Sequence, residues 1–178
     1  MRSPDEKFIR VAIDLAIEAK RNGADPFGAL LVQDGVVVCK SCDRSVELSD
    51  PTSHAELSVI RDYCRAHKVF SLEGYTLYCS TEPCAMCSGA IHWARVSRVV
   101  YSVRQEMLQE RSGGRRKLKC ERIINSGQRQ IEVVGPVLPE EGIAVFEGYA
   151  FEPKVSRHAS YHSGKRSMKG SEDEHNIL

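Results

Sequence analysis

Asp50-Pro51-Thr52-Ser53-His54-Ala55-Glu56, taken together with Glu82-Pro83-Cys84-Ala85-Met86-Cys87 downstream, decides the reading of this chain. The two stretches offer one imidazole (His54), two thiolates (Cys84 and Cys87) and a carboxylate (Glu56) that is not needed as a ligand. Three protein ligands leave the fourth tetrahedral position of zinc open to water, which is the catalytic rather than the structural arrangement. Water on zinc ionises near neutral pH, and a neighbouring carboxylate can carry its proton. Either half alone would be weak, because Cys-x-x-Cys also marks structural sites and redox pairs. A structural knuckle would need a fourth ligand, and the nearest candidates, His92, His67 and Cys79, have no suitable spacing.

The local patterns fit this reading. Leu57, Ile60 and Cys64 follow His54 at helical spacing, so His54 and Glu56 stand at a helix start. Pro83 suits a first helical position. Residues 84–96 form the next expected helix, with Cys84 and Cys87 one turn apart on one face. The positive end of that helix favours thiolate over thiol. Strand-like residues 75–80 precede it and strand-like residues 98–103 follow.

Further out, residues 4–21 have the pattern of an amphipathic helix ended by Asn22-Gly23. Residues 29–32 and 36–39 are expected as two strands joined at Gln33-Asp34-Gly35. The charged segment 105–119 is expected to be a mobile surface loop rather than a substrate lid. Residues 120–125 are expected as a short helix, 130–134 as a last strand and 140–149 as a last helix. Strands alternating with helices argue an α/β layer, and the initial hairpin argues a mixed sheet. Residues 1–152 make one domain. The polar residues 153–178 have little to bury and are expected to be a flexible tail.

Composition sets the outer bounds. At 178 residues the chain can bury a core, and its 42% hydrophobic content is ordinary. A net charge of +1 gives no global argument for nucleic acid or membrane. No stretch has the length of a membrane span, and no apolar signal core follows Arg2, Asp5, Glu6 and Lys7, so a cytoplasmic setting is expected. Of seven cysteines, two belong to the metal. Cys39, Cys42, Cys64, Cys79 and Cys120 are expected as small core or half-buried residues rather than a disulfide framework. Cys39 and Cys42, in one strand, would face opposite ways.

The motifs resemble the cytidine deaminase superfamily, in its purine-acting branch. The resemblance runs from about Pro26 to Arg104 and more loosely to Tyr149, carried by Asp25-Pro26-Phe27-Gly28-Ala29, the His54 motif and residues 82–91. It is nearest to guanine and guanosine deaminases, with tRNA adenosine deaminases similar in the same motifs. The resemblance implies a three-layer α/β/α sandwich with a five-stranded mixed sheet, one zinc ion per subunit and a homodimer. It implies His54, Cys84 and Cys87 as ligands and Glu56 as proton shuttle. Zinc-bound hydroxide would attack the amine-bearing ring carbon, and ammonia would leave. Phe27 and Trp93 would hold the base, and Glu82 would frame the loop before the metal helix. Trp93 follows His92 where tRNA adenosine deaminases usually carry His-Ser, which favours a small heterocyclic substrate.

One position departs from the pattern. The family usually has an Asn where Asp43 stands, and that Asn hydrogen-bonds the substrate. An amide donates and accepts, whereas a carboxylate only accepts. Asp43 would therefore favour an N–H or amino edge, or else face solvent or pair with Arg44. A tRNA wobble-adenosine substrate is the alternative. Its support is the basic stretch Arg111, Arg115, Arg116, Lys117, Lys119 and Arg122, with Lys165, Arg166 and Lys169 in the tail. Tyr149 and Phe151 are candidates to complete the pocket. His158, Tyr161 and His162 are expected to be bystanders.

Overall fold

The computed structural model of the protein describes residues 3–113 and 118–168. Arg115, Arg116, Lys117 and Lys169 of the basic stretches lie outside the described residues.

Helix α1 (Pro4–Arg21) starts where Ser3 Oγ accepts from Asp5 N, with Pro4 in the first turn. Its apolar positions bury Phe8, Ile9, Ala12, Leu15 and Ala16. Strands β1 (Gly28–Gln33) and β2 (Val36–Cys42) are antiparallel. The turn between them puts both Asp34 and Gly35 at positive φ, 49° and 75°, the condition for a type I′ hairpin turn. Then come α2 (Ala55–His67), β3 (Thr76–Thr81), α3 (Ala85–Ala94) and β4 (Arg98–Val103). The five strands, with β5 (Glu132–Val134), lie in the order β2-β1-β3-β4-β5. β1 is antiparallel to β3, while β3–β4 and β4–β5 are parallel. The sheet is thus mixed, as the sequence indicates.

Alternation along the strands makes the three layers. Ala29, Leu31, Leu77, Cys79, Val99 and Tyr101 face a core shared with α2, α3 and the short α5 (Cys120–Ile124). Leu30, Val32, Tyr78 and Val100 face the opposite core, shared with α1 and with Val145 and Phe146. Gly28 lies so close to α1 that a Cβ there would sit 2.4 Å from Ala12 O and 2.6 Å from Leu15 Cβ.

Several expectations need correction. Pro83 precedes the N-cap of α3, which is Cys84, so it is not the first helical residue. The segment after β4 is not a loop: α4 spans Gln105–Ser112 and ends at Gly113, φ 69°. The last helix before the tail, α6 (Pro139–Ala144), is shorter than expected: from Val145 to Glu147 the backbone bonds tighten to the third residue back, and Gly148 follows at φ 66°. The expected flexible tail begins as α7 (Lys154–Met168). It attaches by ion pairs to buried carboxylates rather than by apolar burial, which is why its polar composition was misleading.

Candidate active site

The site forms at one end of the three central strands. Ala29 pairs with Cys79 antiparallel and Cys79 with Tyr101 in parallel. The start of β1 and the ends of β3 and β4 therefore lie side by side, bringing together Asp25 and Phe27, Thr81 to Cys84, and Gln105. Asp43 N donates to Phe27 O (3.0 Å) and adds the end of β2.

Two helix N-termini converge here. His54 is the N-cap of α2 and Cys84 the N-cap of α3, with Glu56 and Cys87 in the first turns. His54 Nδ1 is 3.6 Å from Cys84 Sγ and 3.8 Å from Cys87 Sγ, and one ligand atom from each residue lies within 4.8 Å of the others. Zinc bonds of about 2.0 Å to nitrogen and 2.3 Å to sulfur give a tetrahedral N···S edge of roughly 3.5 Å. The donor set therefore fits zinc in identity and in spacing. Mixed imidazole and thiolate ligation is also what that metal prefers.

Electrostatics separates the groups. A hydrogen bond from the Cys87 thiol pushes Cys84 down to about 3, against the opposing effect of burial and with help from His54. Cys87, left holding the shared proton, is pushed up. Cys84 also raises His54. Glu56 is 6% exposed, and burial lifts its carboxyl to about 7, with the nearby Cys84 charge adding to the effect. A neutral-range carboxyl is suited to moving protons in both directions.

The loop into α2 is held by Asp50. Its Oδ1 accepts from Thr52 N (2.8 Å) and Thr52 Oγ1 (2.7 Å), and its Oδ2 accepts from Ser53 Oγ (2.7 Å). These bonds hold the Asp50 carboxyl down to about 2. Glu82 frames the next loop: its oxygens accept from Gln105 N (3.2 Å) and Cys120 N (2.9 Å), joining α4 and α5 to the end of β3.

A cavity of about 260 Å³ opens beside Glu56, His54 and Cys84. Phe27, Tyr149 and Phe151 give it aromatic walls, and Leu108, Gln109 and Ser112 form its α4 wall. Phe27 also packs on Phe146 at 5.7 Å between centroids. Tyr149 Oη donates to Asp25 Oδ1 (2.6 Å), and Arg157 of α7 pairs with both groups.

The structure thus brings together His54, Glu56, Cys84, Cys87 and Phe27. It does not bring Trp93, which is 78% exposed on α3 and does not line the cavity. The expectation failed because Trp93 stands roughly 240° around the helix from Cys87 at 3.6 residues per turn. Asp43 is 1% exposed and does not line this cavity; its oxygens accept from Ser45 and Lys154. Nor does it face solvent or pair with Arg44, whose guanidinium pairs with Glu47. His92 is occupied away from the metal, with Nδ1 2.8 Å from Ile124 O. His158 and His162 lie at Ser49 and do not line this cavity.

Two features went unnoticed in the sequence. Gln105, Leu108, Gln109 and Ser112 recur at i, i+3, i+4 and i+7, a helical signal in a segment whose charge suggested a loop. Lys154 and Arg157 carry no such signal.

Residues 2–103 match the model of the cytidine and deoxycytidylate deaminase zinc-binding region. The chain belongs to the cytidine and deoxycytidylate deaminase family. It is 35% identical over 150 residues to a probable cytosine deaminase of Schizosaccharomyces pombe, covering 82% of this chain and 91% of that one. It is 41% identical over 98 residues to the guanine deaminase of Bacillus subtilis, covering 54% of this chain and 63% of that one. A solved tRNA:A34 deaminase structure superimposes with TM-score 0.66 at 30% identity, over 78% of this chain and 98% of that one. As a member of the deaminase family, the protein is a zinc-dependent hydrolytic deaminase. The family match contains the metal ligands, Glu56 and Phe27 but stops before α4 and α7. In this deaminase two walls of the cavity lie beyond the matched part.

Proposed function

We propose that the protein deaminates a free purine-like nucleobase or nucleoside of the guanine type, as a homodimer in a reducing compartment. The observation that carries this is the cavity: about 260 Å³, walled by Phe27, Tyr149 and Phe151 immediately beside Glu56. Pockets for drug-sized ligands run to roughly 300–1,000 Å³, so this one suits a single heterocycle. Its aromatic walls suit the faces of a flat ring.

Zinc held by His54 Nδ1, Cys84 Sγ and Cys87 Sγ would supply a Lewis acid that brings the pKa of a water to about 7. Glu56 takes the proton of that water. It returns the proton to the ring nitrogen next to the amine-bearing carbon, making that carbon electrophilic. A second transfer, to the exocyclic nitrogen, makes ammonia the leaving group. The oxygen of water stays on the ring carbon as the new oxo group.

For the homodimer, the support is exposed apolar surface: Phe70 is 91% and Trp93 78% exposed. They lie on segments joined by the Leu72 N–Ala94 O hydrogen bond (2.8 Å). For the compartment, it is the free ligand thiols. Among the described residues no helix is long and apolar enough to cross a membrane.

The second reading is a tRNA wobble adenosine, supported by the 30% identity to the tRNA:A34 deaminase. A base flipped out of a loop would need a cavity no larger than this one. The test is ammonia release by zinc-loaded protein on free bases, nucleosides, pterins and triazines, beside an adenosine-34 anticodon stem-loop. Turnover of a small heterocycle, absent in Glu56→Ala, supports the first reading. Turnover of the stem-loop alone supports the second.

A further inference from the structure

Beside the metal ligands sits a cation that this reaction does not use. Lys154 Nζ lies 3.0 Å from Asp43 Oδ2, 2.7 Å from Ser45 Oγ, 3.2 Å from Asp25 Oδ2 and 3.3 Å from His54 Nε2. Asp25 and Asp43 are 4% and 1% exposed. Two carboxylates so buried need a paired charge, and this ammonium serves both. The other oxygen of Asp43 accepts from Ser45 N and Ser45 Oγ, and Asp43 does not line the cavity.

Lys154 does line the cavity, and among the described residues it is the one lysine or arginine that does. The remaining charged wall is acidic: Asp25, Glu56, Glu82 and Glu152. A ring with an oxo group needs a donor for that oxygen, and carboxylates supply none. With His54 Nδ1 turned to the metal site, its Nε2 carries the proton and cannot accept, so Asp25, Asp43 and Ser45 Oγ share the three N–H bonds of Lys154, and the Ser45 bond is the one to a neutral group. One bond can therefore turn to a ligand oxygen while both aspartates stay paired.

We propose that Lys154 is a substrate-specificity residue whose ammonium, held in place by Asp25 and Asp43, donates to an oxo group on the substrate ring. Lys154 thus supplies the donor that the carboxylates of the wall cannot. The substrate class is an amino-heterocycle that carries a ring oxo group. The inference rests on the free-base reading of the cavity.

The test uses two matched pairs that differ in the ring oxo group: guanine against 2-aminopurine, and cytosine against 4-aminopyrimidine. Binding by calorimetry and ammonia release are measured on zinc-loaded wild type, Lys154→Met and Asp43→Asn/Lys154→Met. Wild type should favour the oxo member of at least one pair. Lys154→Met should reduce that preference by about tenfold to a hundredfold, the range expected for loss of a charged hydrogen bond, with little change for the oxygen-free member. Lys154→Met also leaves two buried carboxylates with less compensation. The double variant removes one of those charges and places no donor in the cavity, so the preference should stay lost in it while binding of the oxygen-free members holds. An unchanged preference in Lys154→Met, equal weakening of both members, or a preference restored by relieving the charge in the double variant overturns the proposal. If wild type binds none of the four, the free-base reading itself falls and takes this role with it.

Discussion

Burial makes Glu56 reluctant to ionise, and that reluctance can be measured apart from turnover. Its folded carboxyl is lifted to about 7 from an ordinary 4.5. In metal-free protein the resulting cost to stability is absent below pH 4.5, grows as the pH rises and is complete above about 7. Glu56→Gln should therefore raise the melting temperature of chelated protein at pH 8 and leave it nearly unchanged at pH 4, by roughly 1–3 kcal/mol at the upper pH. The same variant, loaded with zinc, should lose about 10²- to 10⁴-fold in kcat while its metal content by atomic absorption stays at one per chain. Cys87→Ser is the counterpart. It removes a thiolate ligand at a buried position, so zinc content should fall well below one per chain and activity should go with it. These residues were legible in the sequence because ligand spacing is local helix geometry. Trp93 lies near Cys87 along α3 but roughly 240° around it, so nearness in sequence misleads there. Asp43 was noticed as unusual, but its partner lies 111 residues away.

At the scale of elements, the sheet and its two helical layers were readable from alternation and periodicity, and the missed helices share one cause. Both α4 and α7 are polar, and charge alone does not separate a solvated loop from a helix with one face buried. α4 buries Gln105, whose Nε2 donates to the Glu82 and Pro83 carbonyls. α7 is pinned by Lys154 and Arg157. Arg157→Ala should leave zinc content unchanged and raise the rate of proteolysis within 149–163; an unchanged rate would show that α7 does not depend on this contact. The packing of α1 on β1 gives a sharper test. Gly28→Ala places a methyl against the Ala12 carbonyl and Leu15, and overpacking of this kind costs about 1–3 kcal/mol. The helix can move only by disturbing Gly28 N, which donates to Ser80 Oγ beside the site (3.0 Å). Urea unfolding should report the loss as a lower midpoint.

Over the whole molecule, acid should act through the carboxylates that the fold holds down. Asp50 titrates at about 2 rather than 3.8, because Thr52 and Ser53 donate to it, and Asp5 is lowered by Arg98. A lowered carboxylate gives stability that is present above its unfolded value and lost as the pH falls through its folded one. These carboxylates should thus make the melting temperature decline between about pH 4 and 2, below the range in which Glu56 acts. Asp50→Asn should flatten part of that decline when both proteins are measured with chelator.

The wall that Tyr149 and α7 add has a consequence for how the protein is made. His54 and Cys87 are 33 residues apart, whereas Tyr149 reaches Asp25 across 124. A ribosome therefore finishes the ion's three ligands long before it synthesises the segment that shuts the cavity. During that interval the nascent site lies open on the side later closed by Tyr149, and the ion can enter without any helix having to move. A chain stopped just before Tyr149 should take up zinc faster than the full chain after chelation. Equal rates would mean that the wall opens as readily as it forms.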